Sequence, residues 1–118
     1  MRRVLIVENE RSIREALRFE LEEDGFEVMD AMDFSEAVNA FNTFSYDLVI
    51  ADLYLQKGNG MDLFDIINRG INPIPFILIT AFPETDLAFK AKCVLKDCFF
   101  EKPFGTLKLK EKISEILN

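Results

Sequence analysis

The chain reads as an α/β protein, a doubly wound five-stranded parallel sheet flanked by five helices. Three observations carry that reading. Apolar runs recur at Val4–Val7, Val49–Leu53 and Phe76–Thr80, continuous rather than alternating, as in strands covered on both faces. Between them lie stretches with apolar residues at helical spacing, such as Ile13, Leu17 and Leu21, the mark of amphipathic helices. The breaks are short and carry Gly, Pro, Asn or Asp, so strand and helix alternate without a linker, and such alternation builds a parallel sheet.

Each element follows from local signals. Val4–Val7 is a β-branched run bounded by charge, hence a buried strand. Asn9 is a good N-cap for a helix from about Glu10 to Asp24, with Glu10, Arg14 and Arg18 along its exposed side and Gly25 as its stop. Phe26–Met29 alternates and reads as a strand near an edge. Asp33 or Ser35 caps a helix from about Ser35 to Phe44, with Glu36 as capping-box acid and Ala37, Val38, Ala40, Phe41 and Phe44 inward. Asp47–Asp52 is the third strand. Gln56–Gly60 has the residues of a loop, and a helix from Met61 to Arg69 ends at Gly70 as a C′ glycine. After the rigid Asn72–Pro75 connection, Phe76–Thr80 is the fourth strand. Pro83 starts a helix to Lys96, with Leu87, Ala88, Ala91, Val94 and Leu95 inward. Cys98–Phe100 is the fifth strand, and Leu107–Leu117 closes the chain as a helix with Leu109, Ile113, Ile116 and Leu117 inward and lysines outward. Five such units over residues 1–118 suit a flavodoxin-like sheet of order 2-1-3-4-5, whose switch point lies between strands one and three.

Composition narrows the chemistry. At 118 residues, 49% hydrophobic and 30% charged, the chain fits one globular domain. It has no histidine, which removes His-based acid–base catalysis and His-ligated metal sites. A net charge of −7 disfavours a sequence-independent grip on nucleic acid. Cys93 and Cys98 form no CxxC pair and read as small core residues. No apolar stretch has the length of a membrane span or a signal-peptide core, so a reduced, cytoplasmic setting and no membrane partner are expected.

The carboxyl ends of the strands then supply the candidate site, because ligands of open α/β sheets bind in the crevice beyond those ends. Strand one delivers Glu8 and Asn9, strand three Asp52, strand four Thr80, and strand five Lys102. Singly, each has a plain structural role as cap, turn residue or solvated charge. Jointly, two acids, an amide, a hydroxyl and a lysine suit phosphoryl transfer to a carboxylate. Aspartate forms acyl-phosphate intermediates, a hard cation held by carboxylates neutralises the spreading charge, and a lysine and a hydroxyl serve further phosphate oxygens.

With Val4-Leu5-Ile6-Val7-Glu8-Asn9-Glu10, Asp52-Leu53, Gly60, Thr80-Ala81 and Lys102-Pro103-Phe104 in place, the whole chain resembles the receiver domains of two-component response regulators. That resemblance implies a phospho-acceptor at Asp52 and an Mg²⁺ shell from Glu8, Asn9, Asp52 and the backbone carbonyl of Tyr54. It implies a switch hydroxyl at Thr80, a phosphate-facing lysine at Lys102, a cis Lys102–Pro103 bond and an aromatic switch at Phe99. The partners it implies are a sensor histidine kinase or a histidine phosphotransfer protein, and a homodimer through the face of the fourth helix, fifth strand and fifth helix. Nucleic acid is not a direct partner.

The chain also departs from the pattern. The family usually carries Asp where Asn9 stands, so one negative charge is missing from the metal shell and Mg²⁺ affinity is expected to fall. Gln56 replaces a common proline, and Leu95-Lys96 replaces the usual Gly-Ala. Phe99 lacks a tyrosine hydroxyl and is expected to lie inward. Tyr54 and Phe82, each two residues past a site residue, are expected to shield a phosphoryl group from water. A haloacid-dehalogenase-like phosphatase would need a second acid where Tyr54 stands. A receiver-like interaction module that works without phosphorylation remains the alternative, and Asn9 is what motivates it.

Overall fold

The computed structural model describes residues 1–70 and 72–118. Its main elements are β1 (Arg3–Val7), α1 (Arg11–Glu23), β2 (Glu27–Ala31), α2 (Phe34–Thr43), β3 (Leu48–Asp52), α3 (Gly60–Ile67), β4 (Phe76–Thr80), α4 (Asp86–Leu95), β5 (Phe99–Glu101) and α5 (Thr106–Leu117). The five strands form one parallel sheet of order β2-β1-β3-β4-β5, the expected order with β2 at an edge. Strand periodicity sorts the core into two layers. Leu5, Val7, Val49, Ala51 and Leu78 pack under α2, α3 and α4 through Ala37, Leu63, Ile67, Ala88 and Ala91. Val4, Ile6, Leu48, Ile50, Ile77 and Ile79 meet Leu17 and Leu21 of α1 and Leu109 and Ile113 of α5 on the other face. Among the described residues no helix is long and apolar enough to cross a membrane.

Several expected boundaries move, each for a local reason. The N-cap of α1 is Glu10, not Asn9, because the Glu10 N–H is drawn back to Glu8 Oε2 at 3.0 Å and holds the chain extended for one more residue. Gly25 ends α1 as expected, at φ 90. The Gly25 N–H reaches Glu22 O and the Phe26 N–H reaches Leu21 O, both backbone bonds of a Schellman motif. Asp33 caps α2 through the Glu36 N–H at 2.8 Å. Helix α3 stops at Ile67, before Gly70, because Asn68 caps it and its Oδ1 takes the Ile74 N–H at 2.9 Å. Pro83 lies ahead of α4, whose cap is Thr85, with Oγ1 accepting from the Ala88 N–H at 3.1 Å. A 3₁₀ turn over Lys96–Cys98, with Lys96 at φ 54, delays β5 to Phe99.

Four apolar assignments change as well. Phe44 stands outside α2 at 41% exposure, with the Arg3 guanidinium 4.9 Å from its ring centre. Val94 and Cys93 are exposed on α4, and Cys98 is only half-buried. Arg14 and Arg18 are half-buried rather than solvated: Arg14 donates to Glu8 O, and Arg18 ties α1 to Asp30 and Val28 O of β2.

Gly60, the first residue of α3, is the tightest glycine. A Cβ there would lie 2.6 Å from the Asp52 carbonyl oxygen and 2.9 Å from Leu78 Cδ1. Backbone cannot yield to it, so Gly60→Ala is expected to cost about 2 kcal/mol, read as a lower urea midpoint at unchanged slope.

Candidate functional site

The site grows from the ends of β1, β3, β4 and β5. The β1–β3 pairing sets Val7 beside Ala51, which brings Glu8 and Asp52 to neighbouring strand tips. Leu53 N–H donates to Ile79 O at 2.8 Å, and Lys102 N–H donates to Thr80 O at 2.8 Å, so each exit loop is tied to the strand next door. An open cleft above these ends is lined by Asn9, Glu10, Arg11, Asp52, Tyr54, Ala81, Phe82 and Lys102.

At its floor the Lys102 ammonium bridges two carboxylates. Nζ donates to Asp52 Oδ2 at 2.7 Å and stands 2.7 Å from Glu8 Oε1. Asp52 is 6% exposed and Glu8 not at all. The other oxygen of Asp52 accepts the Tyr54 N–H at 3.1 Å, so the carboxylate is held from both sides. Glu8 Oε2 accepts from Glu10 N–H, while Oε1 is buried with no well-directed hydrogen bond. Burial pushes the Glu8 carboxyl above its ordinary value, and Lys102 and the Glu10 amide offset only part of that. Burial also pulls on Lys102, but hydrogen bonds and charge from Asp52 and Glu8 outweigh it and hold the ammonium above its ordinary value.

The remaining expected residues fall into two groups. Asn9 is exposed at the mouth of the cleft. Thr80 is fully buried behind the cleft, and its Oγ1 accepts the Phe82 N–H at 3.0 Å. Phe99 is half-buried, packed on the layer beneath α4 and bordering a groove toward α5 with Lys92 and Phe104. Tyr54 and Phe82 meet edge-to-face at 6.0 Å over the cleft. The Tyr54 hydroxyl also bonds Thr85, the cap of α4. The Lys102–Pro103 bond is cis. Arg11 at the cleft rim was not foreseen; it begins α1 once the helix starts one residue late, a shift that the run of polar residues from Glu8 to Arg11 does not disclose.

The donor set suits a hard cation in kind. Two carboxylates, the Asn9 amide oxygen and the Tyr54 carbonyl are all oxygens, and a buried Glu8 oxygen lacks a directed partner. In charge the site is light. Among the described residues no trio of Asp, Glu or Cys side chains gathers here. With Lys102 removed, two carboxylates would be left buried without their cation. Lys102→Met is therefore expected to cost about 3 kcal/mol. Adding Glu8→Gln should return part of that loss, measured by denaturant unfolding of both variants.

Comparison with known proteins follows the same lines. The family model for the response regulator receiver domain matches residues 4–114. The phosphate regulon transcriptional regulatory protein PhoB of Escherichia coli (strain K12) is 32% identical over 118 residues, covering 98% of this chain and 52% of its own length. The chain thus spans about half the length of such curated relatives. The response regulator TrrA of Thermotoga maritima, solved in complex with Mg²⁺ and BeF, superposes with a TM-score of 0.82 at 32% identity, covering 99% of this chain and 100% of that one. The beryllofluoride-activated NtrC4 receiver domain dimer gives 0.87 at 29% identity, covering 99% and 97%. The chain belongs to the response regulator receiver domain family of two-component signalling systems.

Proposed function

We propose that residues 1–118 form one receiver domain that accepts a phosphoryl group on Asp52 from a sensor histidine kinase or a histidine phosphotransfer protein. One observation carries this reading: the Asp52 carboxylate lies at the cleft floor, gripped by Lys102 on one oxygen and the Tyr54 amide on the other. A carboxylate held so is preorganised for in-line attack. Its oxygen forms the new O–P bond as the P–N bond of the donor breaks, and the electron pair leaves on the imidazole nitrogen, which takes a proton from solvent. Lys102 is then free to follow the charge onto a phosphoryl oxygen. Mg²⁺ would be held by Glu8, Asp52, Asn9 and the Tyr54 carbonyl, and it supplies neutralisation of phosphoryl charge. That the TrrA response regulator was solved with Mg²⁺ and BeF supports an Mg²⁺ site in this fold.

The reading extends to output. Thr80 and Phe99 serve as the switch, and the face of α4, β5 and α5 carries it to a homodimer partner; that the activated NtrC4 receiver domain is a dimer supports the homodimer itself. The domain works in the cytoplasm without touching nucleic acid or membrane. It hydrolyses its own acyl phosphate slowly, because the Tyr54 and Phe82 rings crowd the approach of water. A phosphorylation-independent interaction module is the second reading, favoured by Asn9 and the light charge of the metal shell.

Acetyl phosphate with Mg²⁺ separates the two. Intact mass should show one added phosphoryl group, absent in Asp52→Ala; no addition at high Mg²⁺ leaves the interaction module. Asn9→Asp restores a charge to the shell and is expected to tighten Mg²⁺ about tenfold, roughly the worth of 1.4 kcal/mol, in a titration followed by NMR.

A further inference from the structure

The loop that leaves Asp52 is anchored at its tip to a helix that contributes nothing to the cleft lining. From Leu53 to Gly60 the chain doubles back as a two-residue ribbon, Tyr54 opposite Asn59 and Leu55 opposite Gly58. Its base is closed by Gly60 N–H donating to Leu53 O at 2.7 Å. Its tip, Gln56-Lys57-Gly58, lies on the first residues of α2 through three contacts of different kinds. Phe34 N–H donates to Gln56 O at 3.1 Å. Lys57 Nζ stands 3.4 Å from Asp33 Oδ2. The Phe34 ring lies so close over Gly58 that a Cβ there would come within 2.7 Å of two ring carbons.

The corner that receives the tip is itself rigid. Asp33 is 6% exposed and is engaged as the cap of α2, and Glu36 returns a bond to the Met32 N–H at 3.2 Å. The tip is strained, with Lys57 at φ 68, a left-handed conformation that a lysine keeps only where its surroundings impose it. At the base the same loop orients the acceptor, since the Tyr54 N–H holds Asp52 Oδ1 and the Tyr54 carbonyl is the next polar group along the chain.

We infer that the Asp33–Phe34 corner of α2 is a positioning element for the Asp52 site, with Phe34 as its principal residue. By holding the tip it fixes the tilt of the ribbon. Through Tyr54 that tilt sets both the Asp52 carboxylate and the carbonyl oxygen offered to a cation. Phe34 touches neither phosphate nor metal, so its effect travels through the loop. The cation part of this inference rests on the Mg²⁺ assignment proposed above.

The experiment is an MgCl₂ titration of the ¹⁵N-labelled protein, following the amides of Asp52 to Asn59, with thermal melts alongside. Phe34→Ala is expected to move those amides before any metal is added and to weaken Mg²⁺ binding about tenfold, the scale seen when an outer support of a metal ligand is removed. Phe34→Tyr, which keeps the ring, should restore both. A purely structural ring would lower the melting temperature and, apart from the direct loss of its ring current at Lys57 and Gly58, leave the Asp52 and Tyr54 amides and the Mg²⁺ midpoint of the folded protein where they are; that result overturns the inference. If the unsubstituted protein shows no Mg²⁺-dependent shift, the cation assignment falls by itself. The metal-free spectra then decide, with moved Tyr54 and Asp52 amides supporting the positioning role and unmoved ones overturning it. Should Phe34→Ala fail to fold, Lys57→Gly, at an exposed position, removes the ion pair and the strain. It is expected to move the same amides, and their failure to move counts against the corner.

Discussion

Two carboxylates at the tips of β1 and β3 are buried side by side, and the ammonium of Lys102 is what makes that arrangement tolerable. Ionised acids withdrawn from water cost several kcal/mol each unless a cation and directed hydrogen bonds compensate. The cation comes from the far edge of the sheet. Strand β5 is separated from β3 by β4, so only a side chain as long as lysine can span back from its exit. The backbone of Lys102 is fixed too, with its N–H on Thr80 O. Sheet order and the exit of β5 are therefore tied to one ammonium and the two carboxylates it bridges, which also form the floor of the cleft.

On the proposed cation assignment, this arrangement gives Asn9 more weight than its surface position suggests. Glu8 already faces Lys102 with Oε1 and holds the Glu10 amide with Oε2, so the proposed cation would have to share Oε1 with the ammonium. The charge available to an incoming cation is that of two carboxylates less one ammonium, and Asn9, at the open mouth, adds an oxygen without adding charge. Metal affinity in oxygen-ligand sites follows ligand charge and rigidity. In the proposed site charge is scarce, which would leave rigidity, and with it the anchoring of the Tyr54 loop, as the larger lever.

The sheet was legible in the sequence because Val4–Val7, Val49–Leu53 and Phe76–Thr80 are buried on both faces and so carry little but apolar residues. The residues at their tips were legible for the same reason: a polar residue ending such a run has few places to go. Helix starts were less legible. Asn9 is the better capping residue, yet the buried Glu8 carboxylate binds the Glu10 amide and moves the cap by one position; a side chain two residues upstream wins over intrinsic preference. Val94 fits the apolar spacing of α4 and still lies outside, because α4 meets the sheet through Ala88, Ala91 and Leu95, with Leu87 half-buried beside them. The docking of Gly58 on Phe34 joins residues far apart in the chain, and no local pattern announces it.

The corner between β4 and α4 shows how a local event at Asp52 would have to be transmitted. The Thr80 hydroxyl already accepts the Phe82 N–H. Phe82 lies against Tyr54, and the Tyr54 hydroxyl is bonded to Thr85, which also accepts from Ala88 as the cap of α4. For Thr80 to turn toward a phosphoryl oxygen it must release the part-buried Phe82 amide, at a cost of about 1 kcal/mol, the net worth of one hydrogen bond. Such a step favours two discrete arrangements over a graded one. The first turn of α4 is joined to the acceptor loop by Tyr54 and to the end of β4 by Phe82, so contacts from both strand tips converge on the same helix cap.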